Sequence, residues 1–554
     1  MASETSFDTE QFSAEMNRIG RVSGVCLGGS GVGRIPSFTA DVRTPLPSIN
    51  SAMLRVRRLS AAATLLVAAL SGRSASIAEI EHTYDLPDLS YAGYHRSEQA
   101  IPTMDGPVFN IVDFGAKPND GRSDRAAIQA AIDAAAERGG GVVWVPRGRF
   151  DLGEPGDAGS IFIRSSHIVL RGEGAGRSEL HMSEALAPPP PMRLWGSPYV
   201  IQVLAPLNAR VVGEVARDVA RGDFEVWLTS ADGLKPGDWI TLTLQDGSPA
   251  LRESELAGFQ VIDSRWQSLV EEGVQVAERH EIEAVSGQRV RLCTPVIKSI
   301  DARYAWRVEQ FEPLREIGFE GLRFEGGWQD RFVHHRSWRD DGGYSMLAMV
   351  GVVDSWIRDC RFKDLNCAGV VSHSAQVTVM DSVIEGTPGH SAIRFSASTH
   401  CLMARVEDQA GQWHSVGVSS LSMGNVFWAC YWGSNTSFES HGGQPRHTLF
   451  DSCVGGVMKS HAGGALGSLP NHLEGLVMWN HLKTNAALTD FQFEPLESTH
   501  WRFLQPLLVG LHGTPIDFRA GQSTVVALGA PQADGSLYEY QVKRRLGAMP
   551  EDLR

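Results

Sequence analysis

The chain has 554 residues, 42% of them hydrophobic and 21% charged, with 50 Lys and Arg against 64 Asp and Glu for a net charge of −14. That balance predicts a well-packed globular protein, of about two to four domains or one large solenoid. It excludes a nucleic-acid or anionic-membrane surface binder, because neutralising phosphates takes a clustered Lys/Arg patch and the chain has no basic block.

In chain order, residues 1–52 read as an extension outside the folded protein. From Met53 the layout changes: Arg55, Arg57 and Arg58 precede an apolar run at 59–70, and small residues follow at 75–78. This is the plan of a secretory signal (53–78), and its apolar core is too short to span a bilayer. The expectation is an exported, secreted or periplasmic protein without a membrane span. Residues 79–107 read as a polar, loop-like strap. Of the seven cysteines, Cys26 lies in the extension, and the other six show no CxxC or metal-ligand spacing and read as buried thiols.

At Ser123 or Asp124 a helix is expected to start, with Ala127, Ile128, Ala131, Ile132 and Ala135 on one face. Gly139, Gly140 and Gly141 end it, and a strand from Val142 closes on a Pro-Arg-Gly turn. The motifs are DFGA at 113–116, Asp120-Gly121, Asp124, AIQAAID at 127–133, the glycine triplet and VPRGRF at 145–150. Together they resemble the first module of the pectate-lyase-like, rhamnogalacturonase-type right-handed parallel β-helix superfamily. SIFIRSSHIVLRGEGAG at 160–176 continues in the manner of first coils. The resemblance covers about 70 residues. It implies an all-β, right-handed parallel β-helix with an N-terminal capping helix, and is weak for reaction type, since hydrolases, lyases, epimerases and tailspikes share the module. The segments are then 108–204 for the first module, 205–315 for a small inserted β-subdomain, 316–520 for the coils with a groove, and 521–554 for a C-terminal tail.

A repeat supports the solenoid separately. The last apolar positions of successive strand-like runs, Phe324, Phe362, Ile384, Val406, Trp432, Val454 and Trp479, step by 38, 22, 22, 26, 22 and 25. Stacked coils have such a period. The long first step marks an inserted loop at 326–345, and Val379, Ile384, Val406, Val454 and Val477 are expected to face one core.

Each coil also carries a preceding strand: CAGVVSHSAQ, GHSAIRFSAS, WHSVGVSSLS, TSFESHGGQPRH and MKSHAGGALG. Their face holds His373, His390, Arg394, His414, Glu439, His441, Arg446, Lys459 and His461, and nine of the 18 histidines lie between 373 and 481. A single histidine there is ordinarily just solvated; several in adjacent coils beside two arginines predict a groove.

Glycoside hydrolysis usually takes two carboxylates roughly 5–9.5 Å apart. Glu439 is alone on this face, and Asp340 with Asp341 sits four coils away, on the order of 19 Å at the usual strand spacing. β-Elimination instead needs a cation on the uronate carboxylate and a base for the adjacent C–H. The expected function is therefore a polysaccharide lyase on a uronate polymer, with His414 or His441 as base, Arg394 and Arg446 neutralising the carboxylate and Glu439 orienting a histidine. The further substrate-binding candidates are His390, His461, Lys459, Trp413, Trp338, Asp340 and Asp341, with Trp328 a third loop aromatic for sugar stacking and Trp432 and Trp479 core. No metal or cofactor is expected. Calcium or another divalent cation, with His414, His441 and Glu439 about one ion, is the weaker alternative. A glycoside hydrolase, an epimerase and a non-catalytic tailspike-like binder are the competing readings. The only partner expected is the polysaccharide, and the chain is expected to be a monomer.

Overall fold

The computed structural model describes residues 75–457, 463–495 and 500–554. The extension, the signal segment up to residue 74, Lys459 and His461 lie outside the described residues. These fall in two units, 75–86 and 87–554. The first holds a helix, Ile77–Tyr84, whose start Ser76 and Glu79 cap reciprocally. The strap expected from residue 79 is thus helical at its beginning.

The second unit is built on three long parallel sheets, to which successive coils add strands in parallel register, the third sheet ending before the other two. The first sheet runs from Val108–Asn110 to Thr524–Val526, the second from Gly148–Asp151 to His512–Gly513, and the third from Ile161–Ile163 to Glu439–Ser440. This is a parallel β-helix. One continuous apolar core fills it, from Ile111 beneath the capping helix Arg125–Glu137 to Ile516.

A repeated corner keeps the coils in step. Asp359, Asp381, Arg405, Ala429, Ser452 and Asn480 each follow a first-sheet strand with positive φ, 22 to 28 residues apart, and the next residue turns inward. That inward column is Cys360, Ser382, Val406, Cys430, Cys453 and His481, all buried. Val406 therefore belongs two residues before the position assigned from the repeat, where Asp408 pairs with Ile384. Val454 is likewise one residue early, since it pairs with Tyr431, and Trp479 pairs with Asp451 in the first sheet. Phe324, Phe362 and Ile384 do stack as expected. Val379 and Val406 join the core with Ile384, whereas Val454, half-buried, and Val477, buried, are on the other parity of their strands.

Between the third-sheet strands Ile201–Leu204 and Ser345–Val350 the chain leaves the solenoid and forms a six-stranded antiparallel sheet spanning residues 210–311. Its core includes Met423, Leu469 and Leu473 from the coils, so it lies against them. The strap crosses the first sheet, where Tyr94 N donates to Thr378 Oγ1 at 2.8 Å and Tyr94 Oη to Glu316 at 2.8 Å. The helix Leu537–Leu546 closes over it: Tyr538 Oη donates to Ala92 O at 3.0 Å, and Asp451 accepts from Ser536 Oγ and Tyr538 N. Among the described cysteines five are buried and Cys293 is half-buried, all as free thiols.

Candidate active site

In the third sheet Val370, Arg394, Gly417 and Glu439 form one row across four strands. Neighbouring strands lie about 4.8 Å apart, so Arg394 and Glu439 flank Gly417, which contributes no side chain between them. A Cβ at Gly417 would overlap the Glu439 carbonyl, so the close approach itself requires glycine. Glu439 and His441 project from the same face of their strand, two residues apart. His441 Nε2 lies 3.9 Å from Glu439 Oε1, and His414 Nδ1 is hydrogen-bonded to Glu439 Oε2 at 2.9 Å. His390 precedes His414 by one coil, accepting from its backbone N–H at 2.9 Å, with rings 5.1 Å apart.

Loop 327–343 leans over this cluster. His334 stacks on Trp413 at 4.9 Å and meets His414 edge-on at 5.4 Å, and Phe332 stacks on His390 at 5.9 Å. The loop is held by Asp340, which accepts from Arg336, Ser337 Oγ and Val333 N, and by Asp341 Oδ1, which accepts from His335 N at 3.0 Å. His390 Nδ1 donates to Asp341 O at 2.7 Å. Of the Asp pair, expected four coils from Glu439, Asp341 meets the near edge of the cluster through its backbone carbonyl on His390. Asp340 serves the loop itself, whereas Asp341 touches the site. His334, His335 and Phe332 are missing from the sequence expectations. The His-His pair inside the long insertion was the available signal.

Arg446 is not in this groove. Gly442 and Gly443, at φ +88° and +72°, turn the chain out of the third sheet, so Arg446 begins a first-sheet strand, Arg446–Asp451. There it is fully buried under the antiparallel sheet, paired with Glu255 at 3.0 Å and donating to Gln275 O at 2.8 Å. His373, at another such turn, is close enough to Arg279 of that sheet to feel its charge. Trp328 is core, its Nε1 donating to Pro388 O at 2.8 Å. Trp338 is half-buried on the helix Trp338–Gly342 and makes no ring contact with the histidines among the described residues. Arg394 has no carboxylate within ion-pair distance among the described residues and is half-buried.

Burial raises the Glu439 carboxyl to about 7, against the pull of His441 and Arg394, and lowers the His441 imidazole to about 4. Burial also lifts the Asp341 carboxyl to about 7. The His441 side chain remains 15% exposed, while Glu439 and His414 are sealed at 1% and 3%. The reachable imidazole is therefore His441. Two triads could each gather about one ion: His414, Glu439 and His441, and His334, His390 and His414. A third, Glu179, His181 and Glu325, lies on the second sheet away from this site.

Comparison with known proteins adds two family models. Residues 108–187 match "Rhamnogalacturonase A/epimerase, pectate lyase-like", and residues 411–554 match a domain of unknown function (DUF4955). The chain is 44% identical over 78 residues to mannuronan C5-epimerase AlgE1 of Azotobacter vinelandii, a match covering 14% of this chain and 5% of that protein. It is 41% identical over 73 residues to alginate lyase 7 of the same organism, covering 13% of this chain and 8% of that one. The chain thus matches under a tenth of the length of either. Among solved structures, the tailspike gp61 of Pseudomonas phage phi297 superposes over 77% of this chain and 73% of its own, with TM-score 0.46 and 11% identity. Coil register and module sequence agree: residues 108–187, which match the pectate-lyase-like model, stand at the head of a parallel β-helix.

Proposed function

We propose that this chain cleaves an acidic, uronate-containing polysaccharide by β-elimination. The observation that carries the reading is Arg394: a cation without a carboxylate partner among the described residues, facing the His414–Glu439–His441 cluster across Gly417. A substrate carboxylate laid over Gly417 meets the Arg394 guanidinium, which neutralises it and acidifies the adjacent C–H. His441, the more exposed of the two imidazoles, takes that proton. The electron pair forms the new C=C bond as the glycosidic C–O bond breaks, and the leaving oxygen takes a proton from solvent or the neighbouring acid. Glu439 holds His414 through a 2.9 Å hydrogen bond and gives the cluster its one negative group. The names of the matched relatives, mannuronan epimerase and alginate lyase, support the uronate class. Epimerisation begins with the same proton abstraction and differs in reprotonation from the opposite face.

Purified protein is tested on a panel of uronate polysaccharides, reading the absorbance of unsaturated ends and reducing sugar in parallel. Both signals should rise together. His441→Ala should lower turnover at least ~100-fold, the low end for losing a general base, and Arg394→Lys should fall nearly as far because a point charge loses bidentate binding. Reducing ends without unsaturation would instead indicate hydrolysis. Asp341, whose backbone carbonyl meets His390 and whose carboxyl is buried, is the second acid for that reading, and there Asp341→Asn and Glu439→Gln would both be inactive. Deuterium uptake from D2O without chain cleavage would indicate epimerisation.

A further inference from the structure

The β-elimination reading leaves the imidazoles of His334 and His390 unused, and their arrangement is specific. One ring nitrogen from each of His334, His390 and His414 lies within 4.8 Å of one from each of the others. His390 Nδ1 faces the Asp341 carbonyl oxygen at 2.7 Å. A carbonyl can only accept, so this Nδ1 carries the hydrogen and Nε2 carries the lone pair. His414 Nδ1 faces the Glu439 carboxylate at 2.9 Å, which fixes the same tautomer. Donation of one ring N–H to a backbone carbonyl or a carboxylate is how metal-binding histidines are oriented, with the other nitrogen made more basic. His334 completes the set from the loop, and its Nε2 is buried without a hydrogen-bond partner. A buried orphan nitrogen against two pre-oriented imidazoles needs a bridging group.

We propose that His334, His390 and His414 bind one divalent transition-metal ion of the zinc type. Three imidazoles suit a borderline metal and not calcium, which takes oxygen ligands. Three protein ligands leave a fourth position for water or a substrate oxygen, as in catalytic rather than closed structural zinc sites. Nitrogens on a tetrahedral ion at about 2.1 Å stand roughly 3.4 Å apart, so the site must tighten. His390 and His414 are fixed in adjacent coils, and the element that closes is loop 327–343 carrying His334. The Glu439 triad is the weaker candidate, because Glu439 Oε2 already serves His414 as its acceptor.

The test needs no substrate, so its failure is separate from failure of the lyase reading. The full chain is stripped with a chelator, titrated with Co2+, and followed by visible ligand-field absorption, with metal content by mass spectrometry. One Co2+ per chain with a tetrahedral spectrum is expected, displaced by Zn2+. His334→Ala, on a surface loop the coils do not depend on, should weaken binding at least ~10-fold, as should His390→Ala with a melting control. His441→Ala should bind as wild type. Absence of Co2+ and Zn2+ uptake by the wild-type chain would overturn the proposal. So would loss of binding in His441→Ala with retention in His334→Ala, which would move the ion to the Glu439 triad.

Discussion

At the scale of single residues, the site depends as much on an absent side chain as on the charged ones. Gly417 puts no side chain between Arg394 and Glu439, and its Cα lies against the next strand's Glu439, whose carbonyl fills the place a Cβ would take. Gly417→Ala should cost about 1–3 kcal/mol, as overpacking a filled site does, and should displace Glu439, lowering turnover further than it lowers stability. Denaturation and assay of one preparation check both. Arg446 shows the opposite case. Its charge is spent on Glu255 inside the protein, so Arg446→Ala should destabilise by roughly 3 kcal/mol, as breaking a buried pair does, while turnover per folded molecule holds. A variant that unfolds like wild type but has lost activity would return Arg446 to the groove.

At the scale of elements, the corner between the first and second sheets sets the coil register, and the loop 327–343 sets the site. Val406 sits in the inward corner column between Ser382 and Cys430 and is fully buried. Val406→Asp places an unpaired charge in the core and should cost on the order of 3–5 kcal/mol; a wild-type denaturation midpoint would refute the column. The loop has few tethers. Asp340→Asn removes the charge that Arg336 and Ser337 hold, and should loosen His334 while leaving the coils intact. Weaker substrate binding with an unchanged melting temperature is the expected readout. We also propose that residues 53–78 direct export, so expression from Met53 should give a chain processed near residues 75–78, read by N-terminal sequencing of the exported fraction.

At the scale of the whole molecule, the solenoid buries an unusual number of uncharged imidazoles. Burial holds His373, His400 and His472 down at about 3 and His481 at about 4, and drives His447 well below its ordinary value. Each folded value lies below the unfolded one, near 6.5, so the unfolded chain takes up more protons and stability is lost as pH falls below about 6.5. Asp354, Asp408 and Asp451 are raised by burial to about 6. They act the other way, favouring the fold as pH falls from about 6 toward 4. With the site's His334, His390 and His441 also lowered, the buried imidazoles outweigh the raised carboxyls, which include Asp124, Asp341 and Glu439, so the melting temperature should fall between pH 6.5 and pH 4. A flat melting temperature over that interval would contradict the buried neutral histidines.

Local pattern alone determined the parallel β-helix, its capping helix and the existence of an inserted subdomain. Period, inward apolar positions and glycine stops are written within 20 to 30 consecutive residues of sequence. The same pattern placed His390, Arg394, His414, Glu439 and His441 on adjacent coils, because strands that stack in order bring equivalent positions together. Tertiary structure alone decided the rest. In TSFESHGGQPRH two glycines with positive φ send His441 and Arg446 to different sheets, and Glu255, on a helix of the inserted subdomain, shows which one is covered. His334 reached the site through a loop that crosses the coils, so its neighbours His390 and His414 lie 56 and 80 residues away. No periodicity records such a contact. A repeat encodes what is stacked beside a residue, and a loop or an insertion decides what lies over it.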